Sequence, residues 1–229
     1  MVDPSTWKVV FVDHDDTSVA SNKGLHHPAH CECIRRLRPD LQPCTVEEWV
    51  GINHSPGFIP YLKTLFTEEQ IEQVHAIREE FFKTAKPSFF DGFLPALQEF
   101  QRAGGKVVVV TLSPVEMVMD HYESATDFRP DLVYGGDPDP LKVKPNPFPI
   151  TDALAKLNLH AAHAAVLDDM VTGVKLARNA GVPVVGAGWA HNIPAVRQQM
   201  VQGCDAFCET VEEFAGMLGQ ATAALRGQQ

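Results

Sequence analysis

Two aspartates one residue apart close the first apolar run of this chain, Val-Val-Phe-Val-Asp13-His-Asp15-Asp-Thr17. In an extended segment alternate side chains share a face, so Asp13 and Asp15 can point the same way. Crowding two anions is unfavourable unless a cation or a proton separates them. Either remedy suits catalysis. Asp13 can bind a divalent ion and attack phosphorus, while Asp15 holds a proton for the leaving oxygen. An acidic stretch of this kind also serves as a solvated turn or a helix cap.

Three further groups fall at the ends of later apolar runs. Val110-Thr111-Leu-Ser113-Pro offers hydroxyls, and the N–H groups of a following helix, to a phosphate oxygen. Thr111 or Ser113 in such a place equally suits a plain N-cap. Lys142-Val-Lys144-Pro-Asn-Pro147 puts Lys144 just before a helix, where positive charge is unfavourable unless an anion is near. Lys144 is the candidate to neutralise a phosphate and the Asp13 carboxylate together. Lys142 competes for that role and is expected at the surface. Val166-Leu167-Asp168-Asp169-Met-Val-Thr-Gly173 adds a second carboxylate pair. Mg2+ takes one or two protein carboxylates, keeps waters and accepts a phosphate oxygen, so the four groups together suit a Mg2+ site for phosphoryl chemistry.

Such groups must be delivered by strands, and two textures alternate along the chain. Short apolar, β-branched runs lie at Val9 to Val12, Val107 to Val110, Leu132 to Tyr134, Ala164 to Leu167 and Val182 to Val185. Each is strand-sized and apolar on both faces, as in a parallel sheet covered by helices on each side. Between them run segments of helical period. Ile150, Leu154 and Leu157 follow i, i+4, i+7, with Pro147 suited to the first turn. A helix after Leu167 is expected to end near Gly181, and the last one to begin at a Thr210-x-x-Glu213 capping box. The pattern predicts a doubly wound, Rossmann-like α/β core, in which ligands bind at the carboxyl ends of the strands.

The alternation stops between Val19 and about Pro87. Capping boxes at Thr45-x-x-Glu48 and Thr67-x-x-Gln70, and a helix face of Ile71, Val74, Ile77 and Phe81, predict an all-helical cap domain inserted after the first strand. The expected division is 1–18 and 88–229 for the catalytic core and 19–87 for the cap. Among His26, His27, His30, Cys31 and Cys33, His26 and His30, or His27 and Cys31, share a helical face at i, i+4, but no matching ligand pair with zinc spacing lies elsewhere. They read as polar cap surface with a few buried thiols. Met117 and Met119, with Val115 and Val118, read as core-facing or cap-facing helix residues.

The set of Asp-x-Asp, then Thr, then Lys, then an acidic pair resembles the haloacid dehalogenase-like hydrolase superfamily over essentially the whole chain. The tail, Ala180-Gly-Val-Pro-Val-Val-Gly-Ala-Gly-Trp189 followed by Gly203-Cys-Asp-Ala206, resembles its phosphoglycolate phosphatase-like branch. The resemblance implies that Asp13 is the nucleophile and a Mg2+ ligand. It makes Asp15 the general acid and base, with its backbone carbonyl on the metal. Thr111 and Lys144 would hold the phosphoryl group and Asp169 would anchor the metal, with Asp168 beside it. In the cap, Gly51-Ile-Asn53-His54-Ser-Pro would face the reacting centre, making Asn53 and His54 candidates to contact the organic part of the substrate, together with Ser113. Two departures stand out: Asp16 where relatives usually carry Gly, and Leu112 where many carry Asn.

Composition narrows the partners. The 229 residues include 29 acidic and 19 basic ones, a formal net charge of -10. That balance disfavours nucleic acid and anionic membranes, and no apolar run is long enough to span a bilayer. The N-terminus lacks the pattern of a secretory signal. Five cysteines, an odd number, do not suggest a disulfide framework, so a cytoplasmic protein with reduced thiols is expected. The expected partner is a small phosphorylated metabolite, cleaved as a phosphate monoester through an aspartyl-phosphate; oligomeric state is left open. The rival readings are a phosphomutase of the same superfamily and a non-catalytic binding protein that keeps the fold. Asp15 argues against dehalogenases and phosphonate-cleaving enzymes, which by resemblance lack the second Asp.

Overall fold

The apolar runs become strands: β1 (Val9–Val12), β2 (Lys106–Val110), β3 (Leu132–Tyr134), β4 (Ala164–Asp168), β5 (Val184–Ala187) and β6 (Ala206–Cys208). All pair in parallel, in the order β3-β2-β1-β4-β5-β6. The computed structural model that shows this describes residues 2–228. Contacts divide the chain into two units, Met1–Val19 with Phe89–Gln229, and Ala20–Ser88. The second unit carries helices α1 (His27–Leu37), α2 (Val46–His54), α3 (Phe58–Leu65) and α4 (Glu68–Phe82). The sheet unit carries α5 (Phe93–Arg102), α6 (Val115–Ala125), α7 (Phe148–Leu157), α8 (Val171–Ala180), α9 (Pro194–Gly203) and α10 (Val211–Arg226).

The two-residue period of the strands sorts their side chains into two cores. Val10, Val12, Val107, Val109, Ala165 and Leu167 pack with Phe93, Leu97 and Phe100 of α5, Tyr122 of α6, and Phe214 and Leu218 of α10. Val9, Phe11, Val108, Val110, Ala164 and Val166 pack with Ile150 and Leu154 of α7, Leu176 and Ala177 of α8, and Val196 and Met200 of α9. Helices therefore cover both faces, and the sheet is doubly wound as the continuous apolar runs imply. Val12 stands opposite both Val109 and Leu167, so the carboxyl ends of β1, β2 and β4 come level. The chain leaves β1 for β2 on one side and returns as β4 on the other, and that switch point opens a crevice at the strand ends.

Three details differ from expectation. The fifth strand runs from Val184 to Ala187 rather than starting at Val182, because Pro183 has no N–H to donate and only its carbonyl joins the ladder, accepting from Val166 at 2.9 Å. β6 is an additional strand: Ala206-Phe207-Cys208 has no β-branched residue, so unlike the equally short β3 it carried no strand signal. The Thr210 box is half formed. Thr210 accepts from the Glu213 N–H at 3.3 Å, but the Glu213 carboxylate reaches back one residue further, to the Glu209 N–H. α8 ends as expected, with Gly181 in the left-handed conformation (φ 67°).

The helical unit has its own core of Cys33, Ile34, Leu62, Phe66, Val74 and Ile77. Both capping boxes, at Thr45 and Thr67, are complete. The His and Cys residues of α1 scatter rather than converge. His30 stacks on Trp49 with ring centroids 4.7 Å apart, and Cys33 enters the core. His27 hydrogen-bonds the Cys44 carbonyl at 2.7 Å and lies 3.6 Å from the Cys31 sulfur, while His26 meets Arg78. All five cysteines are free thiols. Among the described residues no helix is long and apolar enough to cross a membrane.

Candidate active site

The residue after β1 is Asp13, whose N–H still pairs with the Leu167 carbonyl at 2.9 Å, so the nucleophile candidate is fixed by the sheet itself. The chain then turns back. Asp16 takes φ 58°, and its N–H donates to the Val19 carbonyl. Asp16 thus adopts the left-handed conformation that glycine takes most readily, and an aspartate tolerates it better than most side chains. Ser18 closes the turn by donating to the Asp13 carbonyl at 2.6 Å. His14, between the two acids, is buried, and its Nε2 lies 2.9 Å from Nδ1 of His121 on α6.

Around Asp13 the other motifs converge. Lys144, its side chain only 4% exposed, donates to Asp13 Oδ1 at 2.5 Å and to Asp168 Oδ2 at 2.6 Å. Lys142 is 48% exposed and lies 3.9 Å from Asp137, at the surface as expected. The other oxygen of Asp168 accepts from the Met170 N–H at 2.9 Å, which fixes the carboxylate plane. Asp169 accepts from the Thr17 hydroxyl at 3.0 Å, and the Thr17 carbonyl is held in turn by the Trp189 indole N–H at 3.0 Å. Gly173 is required by close approach: a Cβ there would lie 2.0 Å from the Asp168 carboxyl carbon. Asp15 receives two hydroxyl bonds on Oδ2, from Ser113 at 2.6 Å and Thr111 at 3.2 Å.

The charges do not balance. Asp13, Asp168 and Asp169 are buried, with carboxylate oxygens within 4.8 Å of one another. One ammonium serves this group. The Asp13 carboxyl is raised to about 8 in all: burial raises it most, Lys144 pulls against this, and Asp168 and Asp15 add to the rise. Asp169 is raised well above the carboxylate range by burial, then by Asp13, Asp168 and Asp16. Burial by itself lowers the Lys144 ammonium, yet Asp13 and Asp168 more than offset this and hold it above its ordinary value. Surplus negative charge among buried oxygens is what a divalent, oxygen-loving cation would neutralise, so the donor set fits such an ion. His191 Nε2 lies 3.9 Å from Asp169 Oδ2, and burial lowers the imidazole pKa.

The structure thus brings together Asp13, Asp15, Thr111, Ser113, Lys144, Asp168 and Asp169. Asn53 and His54 belong to the helical unit, at the end of α2, where the Asn53 amide donates to the Trp49 carbonyl at 2.9 Å. Sequence reasoning passed over Thr17, Ser18, Gly173 and Trp189. The first three lie within or beside the quoted motifs and carried a local signal. Trp189 carried none, since its partner is 172 residues away.

Comparison with known proteins agrees with this fold. The profile of haloacid dehalogenase-like hydrolases matches residues 12–187, from the end of β1 to the end of β5. Among solved structures, a predicted phosphoglycolate phosphatase from Haemophilus somnus 129pt superposes with TM-score 0.76 at 18% identity, over 93% of this chain and 98% of that one. A haloacid dehalogenase-like hydrolase from Streptococcus pneumoniae gives TM-score 0.74 at 19% identity, over 92% and 98%. CbbY from Rhodobacter sphaeroides, solved with xylulose-(1,5)bisphosphate, gives 0.70 at 18% identity, over 90% and 96%. At these identities the likeness is one of fold.

Proposed function

The chain belongs to the haloacid dehalogenase-like hydrolase family, and from that premise we propose that it is a Mg2+-dependent phosphatase of small-molecule phosphate monoesters, working through an aspartyl-phosphate on Asp13. The observation that carries this reading is the buried Asp13 carboxylate, held by Lys144 among surplus acids, with Asp15 two residues further on. A protein freed from catalysis has no evident reason to keep mutually repelling carboxylates together.

In the first half-reaction an Asp13 carboxylate oxygen attacks phosphorus in line. The bond from phosphorus to the ester oxygen breaks, and Asp15 gives its proton to that oxygen, releasing the alcohol. In the second, Asp15 takes a proton from water as the water oxygen attacks phosphorus. The bond to Asp13 breaks, inorganic phosphate leaves, and both carboxyl groups return to their starting states. Lys144 offsets the charge of Asp13 and of the phosphoryl oxygens, and the Thr111 hydroxyl, which donates to Asp15 in the free protein, turns to the same group when it binds. Asp13, Asp169 and the Asp15 backbone carbonyl would hold Mg2+, with Asp168 beside them. When bound, the ion acts as a Lewis acid on the transferred group's oxygens. Choice among esters is proposed to fall to the helical unit, through Asn53 and His54.

The test is phosphate release from a panel of small esters, sugar phosphates and phosphoglycolate included, with Mg2+ or chelator and with Asp13→Asn as the blank. Metal-dependent release that disappears in Asp13→Asn, together with an acid-stable phosphoryl label on the wild-type chain, supports the reading. Transfer to a sugar hydroxyl without free phosphate would make the protein a mutase. A folded protein with neither activity would leave a binding role.

A further inference from the structure

A serine just ahead of a helix ordinarily caps it. Ser113 does not. The N-cap of α6 is Pro114, and no side chain caps that terminus. The Ser113 hydroxyl instead crosses to β1's end and donates to Asp15 Oδ2 at 2.6 Å, a short O–H···O bond. Ser113 is itself buried, and its backbone is pinned from two sides. Its carbonyl accepts from the Gly136 N–H at 2.9 Å, and a Cβ on Gly135 would lie 2.5 Å from that same oxygen.

The neighbouring hydroxyl is tied into the same device. The Ser113 N–H donates to Thr111 Oγ1 at 3.1 Å, which leaves the Thr111 hydrogen to reach Asp15 Oδ2 at 3.2 Å. One residue thus donates to Asp15 directly and also aims a second donor at it. Both hydrogens converge on Oδ2 and restrain the Asp15 carboxyl group.

We propose that Ser113 is a positioning residue for Asp15, holding the Asp15 carboxyl group in the orientation that serves proton transfer to the leaving alcohol, rather than a contact for substrate. The inference rests on the phosphatase reading above. A general acid contributes about 10²–10⁴-fold, and misplacing such a group by about 1 Å can cost about 10²-fold. The effect depends on how much the leaving oxygen needs its proton. An alkoxide leaving group needs it, whereas the nitrophenolate expelled from a nitrophenyl phosphate is a stabilised anion and does not.

The experiment measures the single-turnover rate of Asp13 phosphorylation for an alkyl phosphate and for p-nitrophenyl phosphate, in wild type, Ser113→Ala and Ser113→Thr. We expect Ser113→Ala to lose about 10-fold or more on the alkyl ester and less than about 3-fold on the nitrophenyl ester, with KM little changed. Ser113→Thr, which restores the hydroxyl, should recover most of the alkyl rate. Equal losses on both esters, or a raised KM with unchanged rate, would overturn the positioning role and return Ser113 to phosphate or substrate binding. A wild type that releases phosphate from neither ester removes the phosphatase reading and this inference with it. An active wild type with parallel losses removes the inference alone.

Discussion

Both units of this protein bury ionisable groups, and they treat them in opposite ways. At the strand ends of the sheet unit, Asp13, Asp168 and Asp169 share one Lys144, and burial with mutual repulsion raises the Asp13 and Asp169 carboxyls, so that a cation is needed if all three are to ionise together. In the helical unit, His30 is buried against Trp49, its Nε2 has no hydrogen-bond partner among the described residues, and burial pushes its pKa down to about 4, so it sheds its charge. Arg78 keeps its charge but lays its guanidinium over the faces of Phe58 and Phe82, at 4.5 and 4.9 Å. Burial of a titratable group is therefore not in itself a mark of chemistry. The mark is burial that its neighbours leave unbalanced, because only that arrangement calls for a ligand from outside.

The most severe way to break this contrast is to remove the shared cation. Lys144→Met should lower kcat by about 10²–10³-fold, the scale for losing a group that stabilises transition-state charge, in steady-state phosphate release. It should also lower the urea midpoint, since it strands two buried carboxylates. A smaller loss follows from touching Asp168 indirectly. Gly173→Ala places a methyl group inside the Asp168 carboxylate, so activity should fall by about 10²-fold. The overpacking should cost about 1–3 kcal/mol in denaturant unfolding.

Supplying the missing positive charge should do the reverse. Mg2+ at about 100 times its Kd should stabilise the wild type by about 2.7 kcal/mol, read as a rise in Tm. Asp169→Asn should lose most of that rise. The helical unit answers to protons instead of metal. The His30 pKa is about 4 when folded against 6.5 as the ordinary value, so the unfolded chain binds the proton more readily. Stability from this residue is whole above about pH 6.5 and is lost as pH falls toward 4, by about 2 kcal/mol after allowing for screening. His30→Leu should flatten that part of the stability profile without changing the Mg2+ response. The smallest effect is at a cap: Thr67→Ala removes half of a complete capping box and should cost about 1 kcal/mol in thermal unfolding, leaving Mg2+-stimulated turnover unchanged.

Much of this was legible because it is local. Strands that are apolar on both faces announce a parallel sheet, and acids, hydroxyls and a misplaced lysine at their ends announce a site. Asp13, Thr111, Lys144 and Asp169 were named on those grounds. Asp16 was visible as a departure from glycine, and the backbone resolved it by placing an aspartate at φ 58°. β6 was not legible, because Ala206-Phe207-Cys208 has no β-branched residue to mark it, and Pro183 moved the start of β5 for a reason of hydrogen bonding that a run of apolar letters does not display.

What the sequence alone determined is therefore the class of fold and the chemical identities at its edge, since both follow from residue type and from periods of two and near four along the chain. Only the tertiary structure decided how those groups are paired: Lys144 to both Asp13 and Asp168, Ser113 to Asp15, Trp189 to Thr17, and Gly173 beneath Asp168. The Asp15 and Ser113 side chains are 98 positions apart in the chain and 2.6 Å apart in space. No local spacing encodes such a meeting. It arises because the parallel register of β1, β2 and β4 brings distant strand ends level, so that direction and distance are set by packing across the sheet.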